Sequence, residues 1–446
     1  MKVSDYVLER LRDWEVEYVF AYPGDGINGL LAAWGRAEDR PRFIQARHEE
    51  MAAFEAVGYA KFSGRTGVCA ATSGPGAIHL LNGLYDAKLD HVPVVAIVGQ
   101  TDRSAMGGSY QQEVDLLSLY KDVASEFCEM VTVPAQLPNV LDRAMRIATT
   151  RRTVTALVVP ADVQELDYEP PAHAFKQVPS SLGLPRYAPV PADEDLAKAA
   201  EILNAGEKVA MLIGQGARHA RPEVEQVADL LGAGVAKALL GKDALPDTLP
   251  YVTGSIGLLG TRASYEMMRD CDTLLVVGSS FPYTQFLPEF DQARAVQIDL
   301  DPSMVGLRYP FEVNLVGDAA EALRRLIPLL EPKADGTWRK AVEDNAGALV
   351  GGHAAPRRGF RRPGQPRVRR PHARRAAARE RDRDCGLRVG GELVRPGTSV
   401  PRRHAWARCL GRWATMGPGV PYVIGAKFAH TPTGQRSRSS ATARCR

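Results

Sequence analysis

The feature that most constrains this chain is a set of short apolar runs, each cut off by glycine, proline or polar residues. Val68–Thr72, Val92–Val98 and Thr155–Val159 punctuate the first part, and Val209–Ile213, Val235–Ala238, Leu274–Val277 and Val296–Ile298 the second. A short run that is apolar at nearly every position, and rich in β-branched residues, reads as a strand covered on both faces. Helical patterns separate these runs: the stripe Val7, Leu8, Leu11, Trp14, the segment Ala77–Leu84, and the stretches 221–232 and 319–330. Tyr18–Ala21 adds a strand that ends at the turn Pro23-Gly24. Buried strands alternating with helices predict an α/β protein with two doubly wound, mostly parallel sheets. The Pro- and Ser-rich stretch around Pro170–Pro191 has no period and reads as a linker. The expected domains are therefore 1–170 and 191–335, joined by a linker over 171–190.

Composition excludes several classes. No apolar run approaches the roughly 20 residues that span a bilayer, and Met1–Tyr6 lacks the apolar core of a signal peptide. The six cysteines (69, 128, 271, 385, 409, 445) show neither C-x-x-C nor regular spacing, which predicts reduced thiols in a cytoplasmic protein. Net charge is +4, but residues 351–446 hold 23 Lys+Arg against 4 Asp+Glu, whereas residues 1–350 hold 33 against 48. Such a basic tail ordinarily suggests nucleic acid. Here its grammar gives another explanation, taken up below, and no nucleic-acid partner is expected.

In the first domain, Arg47-His48-Glu49-Glu50 follows the apolar pair Phe43-Ile44, where a strand gives way to a helix. A glutamate at such a junction suits proton chemistry if the junction is buried; a solvated first helical turn, where the helix dipole favours Glu, is the structural alternative. Thr72-Ser73-Gly74-Pro75-Gly76 follows a strand and opens a helix, so it offers backbone N–H groups. His91–Gln100 and Tyr110-Gln111-Gln112-Glu113 come next. His48, His79 and His91 have no ligand partners at metal spacing, so no metal residue is expected. In the second domain, Gly214-Gln215-Gly216-Ala217 follows a strand. A lone G-x-G of this kind often serves only the turn. Val277-Gly278-Ser279-Ser280 ends another strand, and Asp299 and Asp318 follow two more, where carboxylates can reach ribose hydroxyls at the sheet's carboxyl edge.

In order and spacing, Arg47-His48-Glu49, Ser73–Gly76, His91–Gln100 and Tyr110–Glu113 resemble the pyrimidine-binding domain of the thiamine-diphosphate family that contains pyruvate oxidase and acetolactate synthase. The resemblance runs from Val3 to about Leu330. It implies that Glu49 bonds the aminopyrimidine and favours the imino tautomer that deprotonates thiazolium C2; the carbanion then attacks a 2-oxo acid, and the thiazolium accepts electrons as CO2 leaves. It implies that Gln112 reaches toward the bound intermediate and that Ser73, Gly74 and Gly76 lie beside the pyrimidine. The family usually has Phe before that glutamine, whereas this chain has Gln111, which leaves the acceptor pocket open. Gly24-Asp25-Gly26 resembles the start of the family's diphosphate–Mg²⁺ motif. The Asn that motif needs downstream is missing, since Glu49–Ala53 stand there, so it reads as a tight turn with Gly24 beside the cofactor. The second domain resembles the family's central domain, implying FAD, redox-active or vestigial, near Gly214, Gly216, Gly278, Asp299 and Asp318. Phe281-Pro282-Tyr283 and Leu239–Lys242 look more like quinone-reducing pyruvate oxidases, for which a membrane surface or quinone is a further partner. The leading function is oxidative decarboxylation of pyruvate; carboligation like that of acetolactate synthase and a catalytically inactive homologue are the alternatives.

A member of this family needs a third domain for diphosphate and Mg²⁺, shared across a homodimer or homotetramer. Residues 336–446 read as a remnant of it, degraded and disordered. From Gly351 to Leu410 there is no Lys, Ile or Asn. Then Thr415-Met416-Gly417-Pro418-Gly419-Val420-Pro421 resembles the Gly-Met-Gly turn of the third domain, with Met416 beside the cofactor. Asp384–Pro396, written in GC-rich codons and shifted by one base, spells TADSGSAANWYA; Ser439–Arg446, shifted by two, spells VGDGAMQ, the missing metal motif. Both resemble the third domain, so the flanks read as out of frame and the Mg²⁺ ligands as lost. The rival reading is a true Arg-rich RNA-binding or disordered tail.

Overall fold

The computed structural model describes residues 1–170, 180–184, 187–352, 415 and 417–429. Most of the expected linker and of the third-domain remnant, Met416 included, thus lies outside the described residues. The chain divides into two compact units.

The first unit runs α1 (Val3–Asp13), β1 (Tyr18–Ala21), α2 (Asn28–Arg36), β2 (Arg42–Gln45), α3 (Glu49–Ser63), β3 (Gly67–Ala71), α4 (Pro75–Leu89), β4 (Val94–Gln100), α5 (Leu116–Tyr120), β5 (Cys128–Met130), α6 (Leu137–Arg151), β6 (Val154–Pro160) and α7 (Ala161–Gln164). Its six strands are all parallel, in the order β2-β1-β3-β4-β6-β5. The longest ladder pairs Val94–Gln100 with Val154–Pro160. Successive residues point to opposite faces. Phe20, Cys69, Ala71, Ala96 and Val98 therefore pack under α3 and α4, while Val19, Ala21, Val68, Ala70, Val95 and Ile97 pack under α1, α2 and α6. This two-sided burial is the reason the strands read as unbroken apolar runs.

The second unit comprises α8 (Asp193–Ala205), β7 (Val209–Ile213), α9 (Arg221–Leu230), β8 (Gly234–Lys237), β9 (Val252–Ser255), α10 (Arg262–Asp270), β10 (Thr273–Val277), β11 (Arg294–Asp299), β12 (Val313–Val316), α11 (Ala319–Leu326) and α12 (Thr337–Gly352). Its parallel order is β12-β11-β10-β7-β8-β9. Val209, Met211 and Ile213 face one helical layer, and Ala210 and Leu212 face the other. The unit runs past residue 335: Trp338 donates its indole N–H to Val209 O at 2.9 Å, and Val342 is buried in the same core as Ala210.

Both sheets are doubly wound, as the apolar runs predict. In the first, the chain moves outward from β1 to β2 and then crosses to β3 on the other side. In the second it moves from β7 to β8 and β9 and then crosses to β10. Each sheet therefore has a topological switch point, β1/β3 and β7/β10, where the departing loops diverge and open a crevice at the carboxyl ends of the strands.

One further helix, α13 (Gly419–Ala429), belongs to the first unit and packs on α3. A Cβ on Gly58 would stand 2.9 Å from Tyr422 Cα, and one on Gly425 would stand 2.2 Å from Glu55 O. The two glycines let the backbones touch. Phe428 then reaches the rings of Tyr18 and Phe20. Tyr422 enters a buried socket in which the Lys61 ammonium donates to Asp86 (3.1 Å), Asp90 (2.7 Å) and Tyr422 Oη (2.9 Å), while Tyr422 donates to Asp86. All three ammonium donors have acceptors. Burial pulls the Lys61 pKa down, but Asp90, Tyr422 and Asp86 more than offset it, so the ammonium is held well above its usual range.

Candidate active site

The β1/β3 switch point is built from two loops that clamp each other. Gly26 N donates to Thr72 Oγ1 at 2.8 Å, and Asp25 Oδ1 accepts from both Gly26 N (2.9 Å) and Thr72 Oγ1 (3.2 Å). A Cβ on Gly24 would lie 2.5 Å from Thr72 Cβ. Gly24-Asp25-Gly26 is thus a tight turn fastened to the β3–α4 loop, and the Asp25 carboxylate takes part in that fastening.

The β3–α4 loop, Thr72 to Gly76, turns at Gly74, whose φ is +53°, a conformation suited to glycine. A Cβ there would also stand 2.8 Å from the Cβ and the carbonyl oxygen of Gln112. Gln112 itself has φ +62° and accepts from Ser73 Oγ at 3.1 Å. A backbone strained in this way persists only where its surroundings fix it. Here the fixing comes from Glu113, whose carboxylate accepts from Gly107 N and Tyr110 N. These bonds hold it below the usual carboxylate range and fold the loop that carries Gln112.

Glu49 opens α3 and is only 7% exposed. Its Oε2 lies 3.0 Å from His79 Nδ1, and its Oε1 would stand 3.1 Å from a Cβ on Gly76, so the absence of that side chain makes room for the carboxylate. His48 is the N-cap of α3, its Nδ1 accepting from Glu50 N at 3.2 Å, and its ring lies over His79 with centroids 4.3 Å apart. Next to them, Asn82 donates to Glu50 and to Thr415 Oγ1. The structure therefore gathers Glu49, Ser73, Gly74, Gly76 and Gln112 around one crevice, with Gly24 fastened to its floor at Thr72. It also brings His48 and His79 to Glu49: the ligand atoms of the three all lie within 4.8 Å of one another. Positions 48, 49 and 79 show no metal-like spacing because packing of the α3 and α4 N-termini brings them together. His79 follows Gly76 by one helical turn, which was the available signal.

At the β7/β10 switch point, Gly214 N donates to Val277 O (2.9 Å) and Gly216 N to Gly278 O (3.0 Å). A Cβ on Gly214 would stand 2.3 Å from Gly278 O, and one on Gly216 would stand 2.7 Å from Gly278 Cα. These glycines are required by backbone-to-backbone packing whatever the crevice holds. Asp318 caps α11, accepting from Ala320 N and Glu321 N, and its Oδ2 meets His219 Nε2 at 2.8 Å. Asp299 accepts from Asp301 N at 3.1 Å. Both carboxylates thus hold the loops at the sheet's carboxyl edge.

The donor set of the first crevice fits an aminopyrimidine: a buried carboxylate with one oxygen held by His79, beside two glycines and a glutamine. Asp25, the carboxylate of the Gly-Asp-Gly turn, is committed to that turn through Gly26 N and Thr72 Oγ1.

Known proteins match in the same places. A family model described as the N-terminal TPP-binding domain of thiamine pyrophosphate enzymes matches residues 1–119, and the model of their central domain matches residues 196–326. A Bacillus subtilis protein named as thiamine pyrophosphate-containing is 38% identical over 339 residues, which is 76% of this chain and 57% of that one. The pyruvate oxidase of Lactiplantibacillus plantarum is 32% identical over 338 residues (75% and 55%). A chloroplastic acetolactate synthase of Arabidopsis thaliana is 31% identical over 351 residues (76% and 52%). The chain thus spans little more than half the length of these relatives.

Proposed function

Because this chain belongs to the thiamine pyrophosphate enzyme family, we propose that it serves thiamine-diphosphate-dependent decarboxylation of a 2-oxo acid, with pyruvate as substrate and an oxidase outcome. The observation that carries this is the buried Glu49 carboxylate, braced by His79 on one oxygen and facing Gly76 with the other. Bound there, thiamine diphosphate would supply a carbanion-forming thiazolium and an electron sink. Glu49 would hold the proton at the pyrimidine ring, Gly74 and Gly76 would leave room for the ring plane, and Gln112, pinned by Ser73, would orient the substrate carboxylate side. Phe281, buried against Tyr283 in the second unit, belongs to the pattern that favours the oxidase. FAD would lie in the β7/β10 crevice, and Mg²⁺ with diphosphate on a third domain whose frame is displaced in this sequence. A dimer or tetramer would complete the site.

Resequencing codons 345–446 is the first test, and small insertions or deletions that restore a third domain are expected. The restored protein should release CO2 from pyruvate with thiamine diphosphate and Mg²⁺. Glu49→Gln should lower that rate by about 10²–10⁴-fold. A restored protein that binds no thiamine diphosphate, or a Glu49→Gln rate equal to the parent's, would refute the reading.

A further inference from the structure

We propose that His48, Glu49 and His79 form a binding site for a zinc-class divalent ion in the chain without cofactor. Two imidazole nitrogens and a carboxylate oxygen are the donor set of open zinc sites, which keep a fourth position for water. Their ligand atoms lie within 4.8 Å of one another. Glu49 Oε2 and His79 Nδ1, at 3.0 Å, are already close to the spacing of about 3.3 Å that two ligands adopt on a tetrahedral ion with bonds of about 2.0–2.1 Å. An ion between them replaces the hydrogen bond they now share.

His48 completes the set from the other side. Its ligand atom already lies within 4.8 Å of those of Glu49 and His79, and closing the set on one ion requires the His48 side chain to move inward. Binding exchanges the 3.2 Å cap bond from Glu50 N for a metal bond. Access and rigidity are both present. The His79 side chain is 42% exposed and open to solvent, whereas Glu49 is anchored in the first turn of α3 and buried. The site needs no residue outside α3, α4 and their caps. Ion and aminopyrimidine both require Glu49, so under the proposed function each excludes the other.

The full chain, stripped with chelator, is titrated with Zn²⁺ by calorimetry and with Co²⁺ by visible absorbance. The same titrations are run on His79→Gln, on Glu49→Gln and on His48→Asn, which keeps a capping oxygen but loses the imidazole. Further His and Cys residues stand in 353–446, so the reading is the difference between parent and variants. The parent should hold one more ion than each variant, or hold it at least about 100-fold more tightly, with tetrahedral-type Co²⁺ absorbance that the variants lack. Should His48→Asn fail to fold by circular dichroism, the partly exposed His79→Gln decides the matter. Equal stoichiometry and affinity in parent and His79→Gln would overturn the proposal, whether Zn²⁺ is then held elsewhere or not at all. This outcome leaves the thiamine-dependent reading untouched, because the titration contains no cofactor.

Discussion

Gly76 leaves no room for a methyl group: a Cβ there would stand 2.6 Å from Thr72 Cγ2 and 3.1 Å from Glu49 Oε1. Thr72 cannot retreat without giving up its bonds to Gly26 and Asp25. Gly76→Ala should therefore cost about 1–3 kcal/mol of overpacking, read as a lower urea midpoint at unchanged slope. Glu55 supports a pH prediction. Burial pushes its carboxyl up to about 7, and its Oε2 has no hydrogen-bond partner among the described residues. The folded-state value lies above the unfolded one, so ionisation opposes folding. Stability should fall as pH rises from about 4.5 to about 7, by about 3 kcal/mol in total. Glu55→Gln should abolish that slope in urea titrations run at several pH values. The sequence marked Glu49, Ser73, Gly74, Gly76 and Gln112 as candidates through a family resemblance, since the local pattern of each is equally that of an ordinary turn or helix start. The partnership of His79 with Glu49 was not legible, because it arises between two helix N-termini about thirty residues apart in the chain.

Among the elements, the central strands were legible because burial on both faces leaves an apolar run with little polar alternation. Of the edges, β2 showed only as the pair Phe43-Ile44, while β5, with three residues, and β9, which contains Gly254, were not legible. The Thr415–Pro421 segment, which resembles a family turn, runs into α13 at Gly419, but nothing in its sequence announced that Tyr422 fills a charged socket. Replacing Tyr422 with Phe keeps the ring on Phe54 and removes the hydroxyl that meets Lys61 and Asp86. The loss should be about 1–3 kcal/mol, the cost of a buried donor left without its acceptor. Lys61→Met should cost more, about 3–5 kcal/mol, since two buried carboxylates would lose their cation. Thermal or urea unfolding of the two variants checks the ranking, and a Tyr422→Phe variant as damaged as Lys61→Met would contradict it.

For the whole molecule, two units repeat one plan: a parallel six-stranded sheet with a reversal of strand order that opens a crevice at its carboxyl edge. The proposed function would put proton chemistry in the first crevice and flavin in the second, which gives a spectroscopic prediction. With the third domain restored, flavin absorbance should bleach when pyruvate is added without an electron acceptor. Flavin that stays oxidised while acetolactate accumulates would assign the protein to carboligation instead. The plan of the sheets was readable from the sequence, whereas the fate of the intermediate was not, because Gln111 departs from the family's Phe. The socket around Lys61 also imposes a timetable on synthesis. Its acidic wall and its tyrosine are separated by 336 residues, so at about 5–20 residues per second the ribosome takes roughly 20–70 s to deliver the closing side chain. Throughout that interval the α3 face stays open, a charged slot with glycine-lined edges. It is during translation that a chaperone would find this protein most in need of cover.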